Sequence, residues 1–214
     1  MKVRPFTVGP FQENTYLLID DATNHAVFID PGDEASRLLA ALKESGATLD
    51  AIWVTHGHMD HVGAIAAIKR ALNVPVHLHR GDLPLYRAAA EHAILFGATI
   101  EQPPEPEAEF VDGQVLRVGT LEFSVMHAPG HAPGHVVIHG NGVAFVGDCL
   151  FAGSIGRTDL PLASGAQLGP TLERIAALDG ATVVYSGHGP PTTIARERAE
   201  NPFLNGMARV AAGR

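Results

Sequence analysis

The sequence is poor in cysteine, in positive charge and in long apolar runs. Its single cysteine, Cys149, cannot form a disulfide within the chain, which is typical of a protein from a reducing compartment. No run approaches the ~18 apolar residues of a membrane span, and the first residues lack the apolar segment of a secretory signal, so we expect a cytoplasmic protein without a membrane partner. The 15 basic and 23 acidic residues give a net charge of −8 with no basic cluster, which argues against nucleic acid as a partner.

The rest of the composition is that of a globular protein. The 214 residues are 46% apolar and 18% charged, which predicts one domain over residues 1–214 with a sizeable core. Alternating apolar residues and turn signals predict strands at residues 3–8, 15–19, 26–29, 50–54, 74–78, 115–118, 121–126, 136–139, 143–146 and 182–185. Helical spacing predicts helices at residues 35–45, from about 60 to 72, and at 82–96, 168–178 and 192–214. Residues 97–108, rich in proline and glutamate, predict a surface loop.

This order of elements favours an α/β protein with hairpins. Strands come first in each half of the sequence, helices are interspersed, and a helix closes each half. Such an order suggests two mixed β-sheets packed face to face with helices outside.

The most informative stretch is residues 55–61, with the sequence THGHMDH, where a predicted strand gives way to a predicted helix. Within six residues it holds four side chains able to bind a metal: His56, His58, Asp60 and His61. On an extended backbone the rings of His56 and His58 point the same way, because the residues are two apart. Asp60 and His61 follow where the chain bends, so they can face a second point nearby. Alone, the stretch fits either ligands for two adjacent cations or a histidine-rich turn without metal.

Three later loops carry further candidate ligands. Each follows a predicted strand and is rich in glycine or proline, which lets polar side chains converge on one cleft. The candidates are His131 and His135 in residues 128–135, then Asp148, then His188. Three other histidines have no partner spacing and are expected to be structural or on the surface: His77, His79 and His92.

Together these positions suit a pair of divalent metal ions if one carboxylate bridges them. The set is His56, His58, Asp60, His61, His131, Asp148 and His188. Imidazole and carboxylate ligands favour zinc, iron or manganese over softer metals. Two divalent cations, two carboxylates and one hydroxide leave a formal charge of about +1, so the site should attract anionic or electron-rich substrates.

The pattern resembles the metallo-β-lactamase fold superfamily. His56-x-His58-x-Asp60-His61 is followed in order by His131, Asp148 and His188, and the resemblance extends from about the first strand to Pro191. The family's fold, an αβ/βα four-layer sandwich with a dinuclear site at one edge between the sheets, is therefore expected here. Residues 129–135, 147–151 and 187–189 look most like the glyoxalase II branch, the hydroxyacylglutathione hydrolases, and residues 151–159 resemble its short bacterial form.

The resemblance implies a role for each matching residue. His56, His58 and His131 would hold the first metal, Asp60, His61 and His188 the second, and Asp148 would bridge the two, most readily with zinc. His135 is not a ligand in this family, so we expect it to support the ligands or to pack. The side chain of Cys149 is expected to turn away and be buried, which argues against the metallo-β-lactamases that use a thiolate ligand.

The sequence departs from the longer glyoxalase II enzymes in its glutathione-binding parts. Those enzymes have a C-terminal helical domain that grips glutathione, whereas only about twenty residues follow Pro191 here. Tyrosines of the longer enzymes are replaced by Thr158-Asp159 and Pro190-Pro191. Arg157 lies near the place of a lysine that meets the glycine carboxylate of glutathione, so it either binds substrate or forms a structural salt bridge.

The implied activity is hydrolysis of an acyl thioester such as S-D-lactoylglutathione by attack of a metal-bridging hydroxide. Asp60 would be both ligand and acceptor for the attacking solvent, while the thiolate leaves without a strong general acid. The expected partner is a small-molecule thioester, and the expected assembly is a monomer or homodimer.

Two other activities of the same fold stay open. A lactonase shares the His-x-His-x-Asp-His set. An iron-dependent persulfide dioxygenase shares a stretch like Gly156–Asp159, but it uses one iron held by two histidines and an aspartate, and here the full ligand set is retained. A nuclease is disfavoured by the lack of a basic surface, and a binding module without activity by the complete ligand set.

Overall fold

The first half of the chain builds a mixed sheet whose strands lie side by side in sequence order. The computed structural model describes residues 1–210. The six strands are β1 (Lys2–Val8), β2 (Glu13–Ile19), β3 (His25–Ile29), β4 (Thr48–Trp53), β5 (Val76–Leu78) and β6 (Ala108–Glu109). β1, β2 and β3 pair antiparallel, whereas β3, β4, β5 and β6 pair parallel.

The second half builds another mixed sheet, in the order β14-β13-β10-β9-β8-β7. Its strands are β7 (Val115–Val118), β8 (Leu121–His127), β9 (Val136–Gly140), β10 (Val143–Gly147), β13 (Val183–Ser186) and β14 (Thr192–Thr193). β10 and β13 are parallel, and the other pairs are antiparallel. A small hairpin of β11 (Leu150–Phe151) and β12 (Ser154–Ile155) lies between β10 and β13 in the sequence.

Helices connect the strands and cover the sheets. They are α1 (Ala35–Ser45), α2 (Met59–Val62), α3 (Ile65–Ala71), α4 (Leu83–Arg87), α5 (Ala89–Leu95), α6 (Gly165–Ala176) and α7 (Ile194–Glu200), with a 3-10 helix at Arg80–Asp82. Within residues 1–210, none of these helices has the length and apolar character needed to cross a membrane.

Three apolar clusters lie between four layers, which are the helices α1 to α5, the first sheet, the second sheet, and the helices α6 and α7. β2 contributes to two of them, because Leu17 faces α1 to α5 while Leu18 faces the other sheet. Between the sheets, the rings of Trp53 and Phe123 lie 5.9 Å apart at 69°. On the far side, Leu168 of α6 packs in the cluster that covers the second sheet. The predicted αβ/βα sandwich of two mixed sheets is therefore confirmed.

Several predicted boundaries are wrong for local reasons. The helix predicted at 82–96 is divided into α4 and α5, because Ala88 has φ −96° and ψ 4°. The helix predicted at 192–214 begins with β14, and α7 ends at Glu200, since Asn201 precedes Pro202 and takes an extended conformation. Residues 211–214 of that prediction lie outside the described residues. The surface loop predicted at 97–108 ends in β6, which at two residues is too short to show alternation.

Candidate metal centre

Four strand ends bring the candidate ligands to one edge of the sandwich. β8, β10 and β13 run in the same direction, so the loops after them open at the same edge. His131, Asp148 and His188 lie in these three loops. The segment after β4 carries His56 and His58 and leads into α2, which holds Asp60 and His61. The structure thus brings together all seven candidate ligands predicted from the sequence.

Three histidines, His56, His58 and His131, form one group, which we call the histidine triad. Their ring nitrogens lie within 4.8 Å of one another, and His131 Nε2 is 3.0 Å from His58 Nδ1. Burial and the neighbouring imidazoles lower the pKa of His56 well below its usual value. Burial, followed by the charge of His131, lowers the pKa of His58 to about 3. These rings are therefore neutral near pH 7, which is the form that binds a metal.

The second group, Asp60, His61 and His188, contains a carboxylate, and we call it the carboxylate triad. Its ligand atoms also lie within 4.8 Å of one another, and His188 Nε2 is 3.3 Å from Asp60 Oδ2. Burial alone would lower the pKa of His61, but the charges of Asp148 and Asp60 outweigh it and raise this pKa well above its usual value. The pKa of His188 is also raised, because its bond to Asp60 and the charge of Asp148 outweigh burial.

Asp148 lies between the two triads. Its Oδ1 is 3.4 Å from His61 Nε2. Its Oδ2 is 3.5 Å from His131 Nε2 and 3.6 Å from His188 Nε2. A side chain at Gly187 would collide with Asp148 Oδ1, so glycine is required where the loop after β13 passes the carboxylate. A single carboxylate in contact with both triads has the position that a bridging ligand needs.

Three ligand atoms here are buried and lack a hydrogen-bond partner within the described residues: His56 Nε2, His61 Nε2 and Asp148 Oδ1. Buried polar atoms are nearly always paired in native proteins. Imidazole nitrogen and carboxylate oxygen are ligands of zinc and iron, and unpaired atoms of these types facing one another are what a bound ion would satisfy. The donor set therefore fits a pair of divalent metal ions.

Asp30 orients His61, a role that the sequence did not reveal. Its Oδ2 is 3.1 Å from His61 Nδ1 and accepts a 2.6 Å bond from the Thr55 hydroxyl. The Thr55 backbone N–H donates to Oδ1 at 2.6 Å. A partner on Nδ1 directs Nε2 of the same ring toward the centre. Its position was a clue, because Asp30 directly follows β3, and parallel neighbours such as β3 and β4 end at the same edge.

Asp82 connects the two loops of the histidine triad. Its carboxylate accepts a 2.8 Å bond from the Gly57 backbone N–H and another from the Gly134 backbone N–H. Burial raises the pKa of Asp82 to about 6, although both bonds act to lower it. No sequence pattern pointed to this residue, because its partners are backbone groups in distant loops.

His135 lies behind the ligands rather than among them. Its Nε2 accepts a 3.1 Å bond from the Asp148 backbone N–H, and its ring stacks on His56 with centroids 4.7 Å apart. Its Nδ1 is 3.4 Å from the buried thiol of Cys149, which also lies 3.4 Å from the Ala128 carbonyl oxygen. Both residues thus occupy supporting positions, which is how the sequence interpretation treated them.

Arg157 contributes its backbone to the centre and its side chain to the cleft above it. His131 Nδ1 is 2.9 Å from the Arg157 carbonyl oxygen. The guanidinium pairs with Asp159, with Nε 2.9 Å from Oδ1 and a terminal nitrogen 2.8 Å from Oδ2. His92, which was expected to be structural or on the surface, also lines the cleft. His77 and His79 instead contact the rings of Phe110 and His127.

The cleft opens directly over the candidate ligands and has a volume of about 490 Å³. Its lining residues are Phe11, His58, Met59, Asp60, Leu85, His92, Leu95, Phe96, His131, Asp148, Phe151, Arg157, Leu160, Pro161 and His188. A small molecule inside it would contact both triads at once.

Comparison with known proteins agrees with this geometry. Residues 8–188 match the family model described as the metallo-beta-lactamase superfamily. The hydroxyacylglutathione hydrolase GloC of Haemophilus influenzae is 37% identical over 210 residues, which cover 96% of this chain and 99% of the relative. The crystal structure of TTHA1623 in a di-iron-bound form has a TM-score of 0.89 and 45% identity, covering 94% of this chain and all of that one.

Another similar structure belongs to a relative with a different name. The BLEG-1 B3 metallo-beta-lactamase has a TM-score of 0.88 and 38% identity, and the match covers 95% of this chain and 99% of that one. Similarity of this extent therefore accompanies more than one named activity. The matched residues and the shared fold lead to one conclusion: the chain is an enzyme of the metallo-β-lactamase superfamily.

Proposed function

We propose that this enzyme hydrolyses acyl thioesters such as S-D-lactoylglutathione to a hydroxy acid and a free thiol, with two divalent metal ions, zinc or iron, held by the two triads. The observation that carries the proposal is the position of Asp148, whose two oxygens contact histidines of both triads. The full-length similarity to the hydrolase GloC supports the thioester as substrate. The di-iron-bound form of TTHA1623 supports a pair of ions.

The histidine triad and the carboxylate triad would each hold one ion, with Asp148 as their shared ligand. A pair of divalent ions, when bound, lowers the pKa of a water molecule and polarises an acyl carbonyl. The remaining tasks belong to the chain. Asp60 lines the cleft and has a carboxylate oxygen beside His188 Nε2, so it can accept a hydrogen bond from the attacking water and orient it.

The products require no further acid. Water adds to the acyl carbon, the C–S bond breaks, and the sulfur leaves as a thiolate. The thiolate is a stable enough anion to leave without a proton, and it takes one from solvent afterwards. The apolar side chains around the cleft, among them Phe11 and Phe151, displace water from the acyl group. Electrostatic interactions between the acyl group and the candidate metal centre are thereby strengthened.

The test combines elemental analysis of the purified protein with a panel of thioesters, lactones, persulfides and β-lactams. We expect about two metal ions per chain and hydrolysis of thioesters faster than of the other classes. A lactone hydrolysed in preference to every thioester would replace the proposal with a lactonase. One iron per chain with oxygen consumption on persulfides would replace it with a dioxygenase.

Arg157 is proposed to bind the carboxylate of a glutathione thioester. Its ion pair with Asp159 is at the protein surface, with side chains 63% and 69% exposed, so solvent weakens it and a substrate carboxylate can compete for the guanidinium. Arg157→Ala should raise KM for lactoylglutathione and leave kcat nearly unchanged. An unchanged KM would assign Arg157 to the salt bridge alone. Localisation in the cytoplasm, and a monomer or homodimer as the assembly, stay predictions.

A further inference from the structure

The walls of the cleft are apolar, whereas its floor consists of candidate metal ligands. One wall is formed by Phe11 and Phe96, whose ring centroids lie 6.4 Å apart at 85°, and Leu95 extends it. Leu160 and Pro161 lie in the loop that lines the cleft beyond Arg157. The same cleft is therefore lined by these apolar side chains and by the candidate ligands.

Charged groups are scarce in the walls. Within residues 1–210, Arg157 is the only lysine or arginine that lines the cleft, and a substrate carboxylate has to compete with Asp159 for its guanidinium. The other polar wall residue is His92. A glutathione group carries two carboxylates and one ammonium, and each of these needs a partner when it leaves water. The walls provide far fewer such partners than apolar contacts.

Part of the apolar wall is exposed to solvent. At the end of α5, Leu95 and Phe96 are 77% and 57% exposed. An apolar ligand group that covers them removes apolar surface from water on both sides of the contact, which is the main favourable contribution to binding in such clefts. A polar group in the same place gains nothing comparable.

From these contacts we propose that the cleft selects thioesters that carry an apolar chain or ring next to the thioester bond, with Phe96, Leu95 and Phe11 as the residues that determine this preference. The inference rests on the thioester hydrolysis proposed above and names its substrate class. Glutathione itself is then at most the polar end of the substrate, outside the apolar walls.

The first experiment uses acetyl, butanoyl and hexanoyl thioesters of glutathione, with S-D-lactoylglutathione as the polar reference. In the unmodified enzyme, kcat/KM should rise by roughly two- to fourfold per added methylene, the upper figure being full burial of a CH₂ group. Phe96→Ala and Leu95→Ala should each flatten this series. A flat series in the unmodified enzyme, or a preference for the lactoyl group, would overturn the inference for the acyl side of the bond.

Ile94 provides a matched control, because it is equally apolar, lies on the same helix and is 68% exposed, but does not line the cleft. Ile94→Ala should keep the slope of the series. If it flattens the series as much as Phe96→Ala does, the effect comes from α5 as a whole, and the assignment to the cleft wall fails.

A binding measurement separates this inference from the proposed activity. By calorimetry, the non-hydrolysable thioether S-hexylglutathione should bind at least tenfold more tightly than S-methylglutathione, since five more methylenes are covered, and Phe96→Ala should remove most of the difference. If no thioester is hydrolysed but this difference is found, the proposed function fails and the apolar site stands. If thioesters are hydrolysed but the two thioethers bind alike, only the inference fails.

Two isomers then show on which side of the bond the apolar group lies. S-ethyl thiohexanoate has its long chain on the acyl side, and S-hexyl thioacetate has it on the thiol side. The preferred isomer should be hydrolysed faster than S-ethyl thioacetate and should lose that advantage in Phe96→Ala. If neither isomer exceeds S-ethyl thioacetate, the cleft does not select an apolar group.

Discussion

The two triads contain similar side chains, but their surroundings shift the pKa values of their histidines in opposite directions. Burial and neighbouring imidazoles lower the pKa of His56 and His58, and burial lowers that of His131, so the histidine triad is neutral near pH 7. Burial has the same tendency at His61, but the charges of Asp148 and Asp60 raise its pKa well above the usual value. A buried histidine therefore keeps or loses its proton according to the carboxylates beside it.

One edge of the sandwich therefore offers two unequal positions for a metal ion. Ions bind the neutral form of imidazole, so the histidine triad needs no proton release. In the carboxylate triad an ion has to displace the proton that Asp148 and Asp60 hold on His61, although the same carboxylates attract the ion. Each triad also has a buried aspartate behind it: Asp30 contacts the ring of His61, and Asp82 contacts the backbone beside the histidine triad.

Asp148→Ala should have the largest effect, because it removes a contact from both triads together. We expect hydrolysis to fall on the order of 10³-fold or more, beyond the roughly 10- to 100-fold typical of partners behind the ligands. Metal content measured on the same samples should fall below one ion per chain. His135→Ala is the control, since His135 accepts a bond from the Asp148 backbone N–H and does not replace its carboxylate. A greater loss of metal in His135→Ala than in Asp148→Ala would contradict the bridging position.

Single ligand variants should separate the triads. His188→Ala should lose the ion of the carboxylate triad, and His131→Ala that of the histidine triad. Each should lower activity at least about 100-fold, because removing a ligand costs more activity than removing a residue behind the ligands. His131→Ala should be less stable than His188→Ala. His131 is only 3% exposed and its removal leaves a cavity, whereas the His188 side chain is 29% exposed. Metal content and chelator-treated thermal unfolding measure both effects. Loss of both ions in His188→Ala would show that the triads bind as one unit.

Asp30→Asn should weaken only the carboxylate triad. The amide keeps the shape of the carboxylate but lacks its charge, so His61 Nδ1 loses a charged acceptor. We expect metal affinity at this triad to fall roughly 10- to 100-fold, while the histidine triad keeps its affinity. Competition with a coloured zinc chelator resolves the two affinities. Equal weakening at both triads would mean that Asp30 supports the whole edge rather than one ring.

The residues that the structure brings together at the candidate metal centre could be predicted from the sequence, because their spacing is local and their chemistry is rare. His56, His58, Asp60 and His61 lie within one turn, and the order of His131, Asp148 and His188 after strands identified the remaining loops. The two sheets could also be predicted, since strands such as β10 are short apolar runs between turn signals.

What the sequence did not predict depends on contacts between distant segments. Asp30 is 31 residues from His61, and Asp82 is 52 residues from Gly134. No periodicity connects such pairs, and an aspartate near a turn has many ordinary reasons to be there. His92 was missed in the same way, because the cleft brings α5 beside the loops of the second sheet.

The smallest effect should come from Asp82→Asn, and it should appear in the pH dependence of stability. Folding raises the pKa of Asp82 to about 6, from about 3.9 in an unfolded chain. An acid whose pKa is raised by folding stabilises the fold below the unfolded value, and this contribution is lost as the pH rises through the folded value. Between pH 4.5 and 7.5 the unmodified protein should therefore lose about 2 kcal/mol of unfolding free energy relative to Asp82→Asn. Urea unfolding of both proteins after chelator treatment tests this. If their unfolding free energies change with pH in parallel, the bonds from Gly57 and Gly134 keep the carboxylate ionised and folding does not raise its pKa.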